Sequence, residues 1–184
     1  MGQSVATKEK LLEAGKNVIF RKGFNKARVS DITSQAGLAH GTFYLYFKTK
    51  EDFLLELLSS VRGEIISLIE EGVRLMSEGK LDEGKELAFL RSFELMVREK
   101  ELAKIFFFEA ICSSGKFQSF YREGKEMFQE RIEEALSHVT DAHHEVKVDI
   151  LLGTARHLIE DLILSGREVM KPWREVLKEL GVYS

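Results

Sequence analysis

The 184-residue sequence predicts an all-α protein of about nine helices, and three observations support this fold class. Apolar residues recur at spacings of three and four along most of the chain, which is the repeat of one face of a helix. The alternation with a period of two that marks a half-buried strand is nearly absent. The apolar periodicity is interrupted at a few glycines, and these are the places where we expect helices to end: Gly23, Gly37, Gly79, Gly115 and Gly166.

Three helices are predicted at the N-terminus, over residues 7–22, 29–36 and 39–47. Gly23 ends the first helix. Gly37 makes the tight turn between the second and the third, because glycine takes a positive φ without steric cost. Two short helices joined by a glycine-containing turn are the helix-turn-helix pattern, whose second helix enters the major groove of DNA.

Six further helices are predicted over the remaining residues. The longest covers residues 50–77 and carries a continuous apolar stripe. The run at residues 105–108 is apolar around its whole circumference, which predicts a helix enclosed by others. Pro172 suits the first turn of the last helix, where its missing N–H has no partner to lose. The other three helices are expected at about residues 81–98, 116–139 and 145–164.

The charge of the chain is divided unevenly along its length. The first 50 residues contain nine basic and three acidic side chains, a net charge of +6, whereas the remainder has 18 basic and 27 acidic side chains and carries −9. A basic segment on an acidic body is typical of a module that faces polyphosphate, although chance clustering on a solvated surface is an alternative on charge alone. We expect a DNA-binding domain at residues 1–50 and a second domain at residues 51–184.

Composition excludes several classes of protein. The single cysteine, Cys112, excludes an internal disulfide and a thiolate zinc cluster, and it fits a reducing compartment. No uncharged apolar run approaches the roughly 20 residues of a membrane span, and the N-terminus lacks the apolar core of a signal peptide. We therefore expect a soluble, cytoplasmic protein.

The most specific pattern lies between Gly23 and Phe53. It reads Gly-Phe, then Val-x-Asp-Ile-x-x-x-Ala-Gly-Leu, then Gly-Thr-Phe-Tyr-x-Tyr-Phe-x-x-Lys-x-x-Phe. In these residues and at this spacing the chain closely resembles the TetR family of transcriptional regulators. The resemblance is strong over residues 7–55, and beyond them it extends only to the number, length and order of the helices.

The resemblance implies which residues of the helix-turn-helix contact DNA. His40 occupies a recognition-helix position where a lysine often reads bases or phosphate, and Gly41 lets the backbone approach the DNA closely. Lys50, at the start of the long helix, resembles the family's phosphate-binding lysine. The predicted DNA-binding residues are Arg28, Ser30, Ala39, His40, Gly41, Thr42, Tyr44, Leu45, Tyr46 and Lys50.

Three positions depart from the family pattern. Ala27 and Ala39 replace the more usual hydroxyl residues, which removes two phosphate hydrogen bonds. Leu45 is apolar on the outward face of the third helix, where it suits contact with a thymine methyl group. These changes put the operator sequence beyond prediction.

Phenylalanines are concentrated between residues 89 and 128, where the resemblance places an effector cavity. Such cavities are mostly apolar with a few polar anchors, so the composition favours a hydrophobic or amphipathic ligand, either an acyl or an aromatic compound. The alternative is that these rings fill an ordinary core. The candidate ligand-binding residues are Phe89, Phe93, Phe107, Phe108, Cys112, Phe117, Tyr121, Phe128 and His157.

The helix at 145–164 is apolar over more of its surface than a helix with one buried face needs. Together with the last helix it resembles the family's two-fold, four-helix interface. A symmetric homodimer predicts a near-palindromic operator. The candidate dimerisation residues are Ile150, Leu151, Leu158, Leu162, Trp173, Val176 and Leu177.

Three hypotheses about function follow. The first is a DNA-binding repressor released by its ligand, and the second is an activator or ligand-free regulator of the same fold. The third is a helical enzyme or small-molecule carrier, but no nucleophile–base set, phosphate loop or carboxylate–histidine motif is present. The pair His143 and His144 suggests helix capping rather than metal binding, so neither a metal nor a cofactor is expected.

Overall fold

The computed structural model of the chain describes residues 2–140 and 143–183. Over these ranges the chain forms nine continuous helices and no strand, which confirms the predicted fold class. The helices are α1 (Gly2–Lys22), α2 (Val29–Gln35), α3 (His40–Tyr44), α4 (Lys50–Ser77), α5 (residues 81–98), α6 (residues 100–110), α7 (Gly115–Ser137), α8 (His144–Ser165) and α9 (Met170–Glu179).

The predicted helix ends agree with the structure for α4 and α5 and differ elsewhere by a few residues. The largest difference is at α1, which already begins at Gly2 instead of residue 7. The last helix begins at Met170, because the carboxylate of Glu168 accepts hydrogen bonds from the backbone N–H groups of Met170 (2.7 Å) and Lys171 (3.1 Å). Pro172 stays within the first turn, where the chain tolerates it.

The phenylalanine run in α6 is less enclosed than predicted. α6 ends in a π-helical segment, Phe106–Ala110, and α5 contains another at Glu86–Arg91. Phe106 and Ala110 are buried, but Phe107 is only half-buried and Phe108 is exposed. The expectation of a helix covered on all sides is therefore wrong. Its apolar circumference is wider than the face that the surrounding chain covers, and exposed apolar side chains are common on protein surfaces.

The described chain divides into two compact units that do not follow the predicted boundary after residue 50. The first unit runs to Ser60 and also takes in Ile105–Gln118, and the second contains Val61–Lys104 and the residues from Ser119 onward. No linker marks the boundary, because α4 is one continuous helix. The sequence gives no sign that a distant segment joins the N-terminal helices.

The core of the first unit is built on aromatic rings. The ring centroids of Phe43, Phe47 and Phe53 lie 5.0–5.6 Å apart, and all three side chains are buried. Gly15 of α1 lies directly against the ring of Phe53, where a larger residue has no room. Phe117 contributes from the distant segment, since its ring meets Phe24 edge-on at 5.8 Å.

The core of the second unit is organised around Trp173. Its ring stacks on Phe93 with centroids 4.4 Å apart, and its indole N–H donates to the carbonyl of Phe89 at 2.7 Å. This hydrogen bond satisfies a polar group that would be costly to bury alone. The same core contains the inner faces of α8 and α9, including Leu151, Leu158 and Leu177.

Candidate nucleic-acid interface

The turn between α2 and α3 is held by backbone hydrogen bonds. Gly37 has φ +67°, which favours glycine, and its N–H donates to Ser34. The N–H of Leu38 then returns to the carbonyl of Thr33 at 2.9 Å. At the other end of α2, the carboxylate of Asp31 accepts a hydrogen bond from the backbone N–H of Arg28 at 3.0 Å. These contacts fix the direction in which α3 leaves the turn.

The outward face of α3 presents a mixture of aromatic, apolar and small residues. Phe43 is fully buried and anchors the helix, while Leu45 is 79% exposed. The rings of His40 and Tyr44 meet edge-on at 5.6 Å, and Tyr46 donates from its hydroxyl to Ser4 at 3.3 Å. The predicted contact residues Arg28, Ser30, Ala39, His40, Gly41, Tyr44 and Leu45 are exposed, and Thr42 and Tyr46 are half-buried.

Lys50 has a different environment from the one expected of a phosphate-binding lysine. Its ammonium donates to the carbonyls of Phe24 (2.6 Å) and Ala27 (2.9 Å), and it lies 4.5 Å from the centroid of the Phe24 ring. Burial lowers the pKa of Lys50, an effect that the carboxylate of Glu109 opposes. In this structure Lys50 holds the loop between α1 and α2, a role that its position in the motif does not reveal.

Glu109 holds the same loop from α6. Its carboxylate accepts a hydrogen bond from the backbone N–H of Asn25 at 3.3 Å. Gly23, with φ +79°, lies close to this carboxylate, where a Cβ atom would be about 3.1 Å from its oxygen. The loop of residues 23–28 is thus tied to α4 by Lys50 and to α6 by Glu109.

The nine candidate ligand-binding residues are divided between the two units. Phe107, Phe108, Cys112 and Phe117 belong to the first, and the other five belong to the second. Phe117 is fully buried in the first core, as are Phe89 and Phe93 in the second, so these three rings fill cores. Cys112 and Phe108 are exposed, and the side chain of His157 is 66% exposed. The three buried rings thus belong to two separate cores, and ligand binding by the other six residues stays a prediction.

Two arginines in the second unit were not among the candidates. The guanidinium of Arg62 stacks on Phe120 at 3.9 Å from the ring centroid and donates to the Phe120 carbonyl at 3.2 Å. Arg156 donates to the hydroxyl of Tyr121 at 2.5 Å and to Glu160 at 2.9 Å. Arg62 could have been found from sequence, because it lies four residues from both Leu58 and Ile66 in the apolar stripe of α4.

Four of the seven candidate dimerisation residues are core residues in the structure, so their assignment to the interface is corrected. Leu151, Leu158, Trp173 and Leu177 are buried in the core of the second unit and are not available to a partner. Leu162 and Val176 are half-buried, and Ile150 is 42% exposed. The face of α8 that faces solvent carries Val146, Ile150, Gly153, His157 and Leu164.

Residues 2–140 and 143–183 contain neither a candidate metal site nor a membrane-spanning helix. No group of three or more histidine, cysteine, aspartate or glutamate side chains is placed to hold a metal ion. None of the helices in these ranges combines the length and the apolar character needed to cross a membrane.

The helix-turn-helix and the helical second part both match known sequence profiles. Residues 11–57 match the bacterial regulatory proteins of the tetR family, and residues 85–182 match the tetracyclin repressor-like C-terminal domain. The chain belongs to the TetR family of DNA-binding transcriptional regulators, a class of proteins that are not enzymes.

Two relatives from Bacillus subtilis (strain 168) show how far the similarity extends. The HTH-type transcriptional regulator YdgC is 30% identical over 173 residues, which cover 89% of this chain and 85% of that protein. The fatty acid metabolism regulator protein is 37% identical over 93 residues. That match covers 50% of this chain and only 47% of the relative.

Solved structures share the fold over almost the whole chain. A transcriptional regulator from Aquifex aeolicus VF5 is 32% identical with a TM-score of 0.78, covering 95% of this chain and 99% of that one. FadR from Bacillus subtilis in complex with stearoyl-CoA is 23% identical with a TM-score of 0.76, covering 94% and 97%. The complex of SmeT, a Stenotrophomonas maltophilia repressor, with triclosan is 17% identical with a TM-score of 0.80, covering 97% and 95%. The last two similarities are evidence of fold alone.

Proposed function

We propose that the protein is a repressor that leaves a near-palindromic operator when a hydrophobic or amphipathic molecule binds its second unit. The DNA-binding part of this proposal is supported by one observation: the face of α3 is exposed, and it belongs to a segment with a net charge of +6. Because bacterial DNA lies in the cytoplasm, we place the protein there. Effector and operator are then antagonistic ligands, linked through one coupling free energy.

The effector class rests on the chemistry of the second unit and on the relatives. Phe128 and Tyr121 are half-buried on α7, and Arg62 stacks on Phe120 of the same helix. A guanidinium has five N–H donors, and the structure uses one of those of Arg62 for a carbonyl. The others can bind the carboxylate or phosphate of an acyl compound. The stearoyl-CoA bound by the Bacillus subtilis FadR is a compound of this kind.

A homodimer is proposed on the exposed face of α8. Val146, Ile150, Gly153 and His157 follow one another at spacings of three and four residues, and Leu164 continues the same face. Leu164 is 71% exposed. Exposed apolar side chains on one face of a helix, here Val146, Ile150 and Leu164, favour that face as a protein interface. A two-fold axis through it requires an operator with two related half-sites.

The test is a titration of the operator complex with defined compounds. An operator selected from random DNA is labelled, and its affinity is measured by fluorescence anisotropy with stearoyl-CoA, stearate and triclosan. We expect at least one compound to weaken DNA binding by about tenfold, since allosteric coupling is commonly 5- to 150-fold. Tighter DNA binding on addition of a compound would indicate an activator or a co-repressor mechanism. No change in DNA affinity or thermal stability with any compound contradicts the effector proposal.

The anionic anchor is tested separately with Arg62→Met. DNA binding by this variant should no longer respond to stearate or stearoyl-CoA, because methionine lacks the guanidinium N–H groups that are proposed to bind the anionic group. Arg98→Met removes an exposed arginine from the same unit and serves as the matched control. An unchanged response of Arg62→Met to both anionic compounds excludes Arg62 as the anchor.

A further inference from the structure

Residues 105–118, which include the end of α6 and the start of α7, belong to the same unit as the helix-turn-helix. Two contacts attach this segment to the rest of the unit. The ring of Phe117 meets that of Phe24 edge-on at 5.8 Å, and the ammonium of Lys116 pairs with the carboxylate of Asp52 at 2.7 Å. The segment is therefore a structural part of the unit that presents α3, although it lies far from α3 along the chain.

Glu109 of α6 makes a third contact, with the loop of residues 23–28. Its carboxylate accepts a hydrogen bond from the backbone N–H of Asn25 at 3.3 Å, and a Cβ atom on Gly23 would lie 3.1 and 3.2 Å from its two oxygens. Gly23 has φ +79°, so the loop needs glycine there for its backbone conformation as well as for this close approach. The carboxylate of Glu109 thus lies directly against the backbone of the loop.

A π-helical turn in α6 carries Glu109. The backbone N–H of Ile111 donates to the carbonyl of Phe106 at 2.9 Å, five residues back instead of four. Phe106 and Ala110 are buried by this turn, whereas Glu109 is half-buried. Turns of this kind are rare and occur frequently at functional sites. In α6 the turn coincides with the residue that contacts the loop.

The loop of residues 23–28 determines where α2 begins. Its last residue, Arg28, has an extended backbone with φ −108° and ψ 152° and directly precedes the first turn of α2. The turn from α2 to α3 is in turn fixed by the hydrogen bond from the N–H of Leu38 to the carbonyl of Thr33. A shift of the loop therefore displaces α2 and, with it, the exposed face of α3. Hydrogen bonds to base edges depend steeply on distance and angle, whereas the attraction between cations and phosphates extends over about 10 Å.

The negative charge of Glu109 does not by itself favour DNA binding. A carboxylate on a unit that binds a polyanion lowers the affinity for DNA of any sequence. A purely electrostatic role thus predicts that removal of this side chain tightens binding to all DNA. A role in positioning α2 and α3 predicts instead that removal weakens binding to the operator and spares binding to random DNA.

We infer that Glu109 is a positioning residue for operator recognition, which acts through the backbone of the loop of residues 23–28 to orient α2 and α3. The hydrogen bond to Asn25 holds the loop, and the loop sets the direction of the two helices. The inference rests on the operator binding proposed above and assigns a part in it to a residue of α6.

The first test is Glu109→Ala, which removes the acceptor for the N–H of Asn25. The selected operator should bind this variant about tenfold more weakly, on the order of what a hydrogen bond to a charged group contributes. Random duplex DNA should bind equally well or slightly more tightly, because one negative charge is gone. Fluorescence anisotropy measures both affinities at the same salt concentration. An unchanged ratio of operator to random affinity overturns the inference, and so does an equal loss of both affinities, which indicates a purely structural role.

Two matched variants separate the hydrogen bond from the charge. Glu109→Gln is as neutral as Glu109→Ala but keeps an oxygen that can accept the N–H of Asn25, so its affinity ratio should stay within about twofold of the natural chain. Glu101→Ala removes an exposed carboxylate from the same helix and should leave the ratio unchanged. A glutamine variant as defective as the alanine variant overturns the role given to the hydrogen bond.

Amide hydrogen exchange tests the contact in the absence of DNA. The N–H of Asn25 should exchange several-fold faster in Glu109→Ala than in the natural chain, because exchange requires its hydrogen bond to open. Equal exchange rates in the two proteins contradict the contact and the inference with it.

Failure of the proposed function is distinguishable from failure of this inference. A natural chain that binds selected and random DNA equally well contradicts operator binding itself. A natural chain that discriminates between them, together with a Glu109→Ala variant that discriminates equally well, rejects only the role of Glu109.

Discussion

Gly41 is a position at which the requirements of the fold and of DNA recognition can be told apart. A Cβ atom at this position would meet no atom of the protein within 4 Å, so packing does not require glycine there. Glycine is also a poor helix former, at a cost of up to about 1 kcal/mol relative to alanine. The fold therefore does not require glycine here, and a close approach of DNA to this backbone stays a prediction.

Gly41→Ala should keep or raise the free energy of unfolding and weaken operator binding by about tenfold or more. The reason is that the added methyl group would separate the α3 backbone from the DNA and disturb neighbouring base contacts, each of which is worth about 1–3 kcal/mol. Urea denaturation and fluorescence anisotropy measure the two effects. Gly63→Ala, at another open helical position, should change stability alone. Unaltered operator affinity for Gly41→Ala would show that DNA does not approach this backbone.

The sequence motif and the structure assign different roles to Lys50. The motif implies phosphate binding, whereas in the structure Lys50 donates hydrogen bonds to two backbone carbonyls. Lys50→Met should lower the free energy of unfolding by about 1–3 kcal/mol, because two carbonyls lose their charged donor. If Lys50 instead contacts phosphate, its loss should leave stability unchanged and make the salt slope shallower by about 1. Lys48→Met, at an exposed neighbouring position, is the control for stability.

The lowered pKa of Lys50 adds a pH dependence with a definite sign. A lysine whose pKa is lower in the folded state binds its proton less tightly there than in the unfolded chain. The unfavourable contribution of its desolvated charge is therefore present at neutral pH, and it is relieved as the pH rises through the folded-state value toward 10.5. The stability difference between the natural chain and Lys50→Met should grow across this window in favour of the natural chain.

At the scale of whole elements, α4 and α5 meet through glycines. A Cβ atom on Gly72 would lie 2.6 Å from the carbonyl oxygen of Gly84 and 2.8 Å from the Cβ of Ala88. Neither neighbour is a flexible side chain, so the helices would have to separate. This contact explains why two glycines occur inside helices that would otherwise favour alanine.

Gly72→Ala should destabilise the protein by about 1–3 kcal/mol, the usual cost of overpacking, although alanine is the better helix former. Gly63→Ala on the same helix should instead be neutral or stabilising, because its Cβ meets nothing within 4 Å. Chemical denaturation compares the pair directly. Equal stability of the two variants would mean that the two helices do not approach as closely as described.

At the scale of the whole molecule, the exposed face of α8 determines the proposed assembly. Ile150→Glu/Leu164→Glu should give a monomer, because two carboxylates would be buried without partners at the interface. Sedimentation velocity measures the assembly state. The affinity for a full operator should fall by 100-fold or more, on the order expected when one of two linked sites is lost, while binding to a half-site is unchanged. Met127→Glu, at another exposed apolar residue of the second unit, should remain dimeric. A dimeric double variant would place the interface elsewhere.

Prediction from sequence and the structure agree best where a local pattern of residues is compatible with only one local structure. The spacing of apolar residues identified α4 and α5 with their ends, and Gly37 identified the turn before α3. Agreement is poorer for α8, where Ile150 and Leu151 are equally apolar but face opposite environments. A helix that is apolar over most of its circumference has no single face that periodicity can select.

The sequence by itself determined the all-α fold, the helix-turn-helix and membership of the family, because helical periodicity, glycine turns and a long motif are properties of neighbouring residues. Only the tertiary structure decided which cations are engaged and which are free. Lys50 and Lys26 are both lysines of the same basic segment. The ammonium of Lys50 is bound to two carbonyls, whereas Lys26 lines an open cleft. That difference depends on which distant segments pack together, and the residues 105–118 that join the first unit lie far from it along the chain.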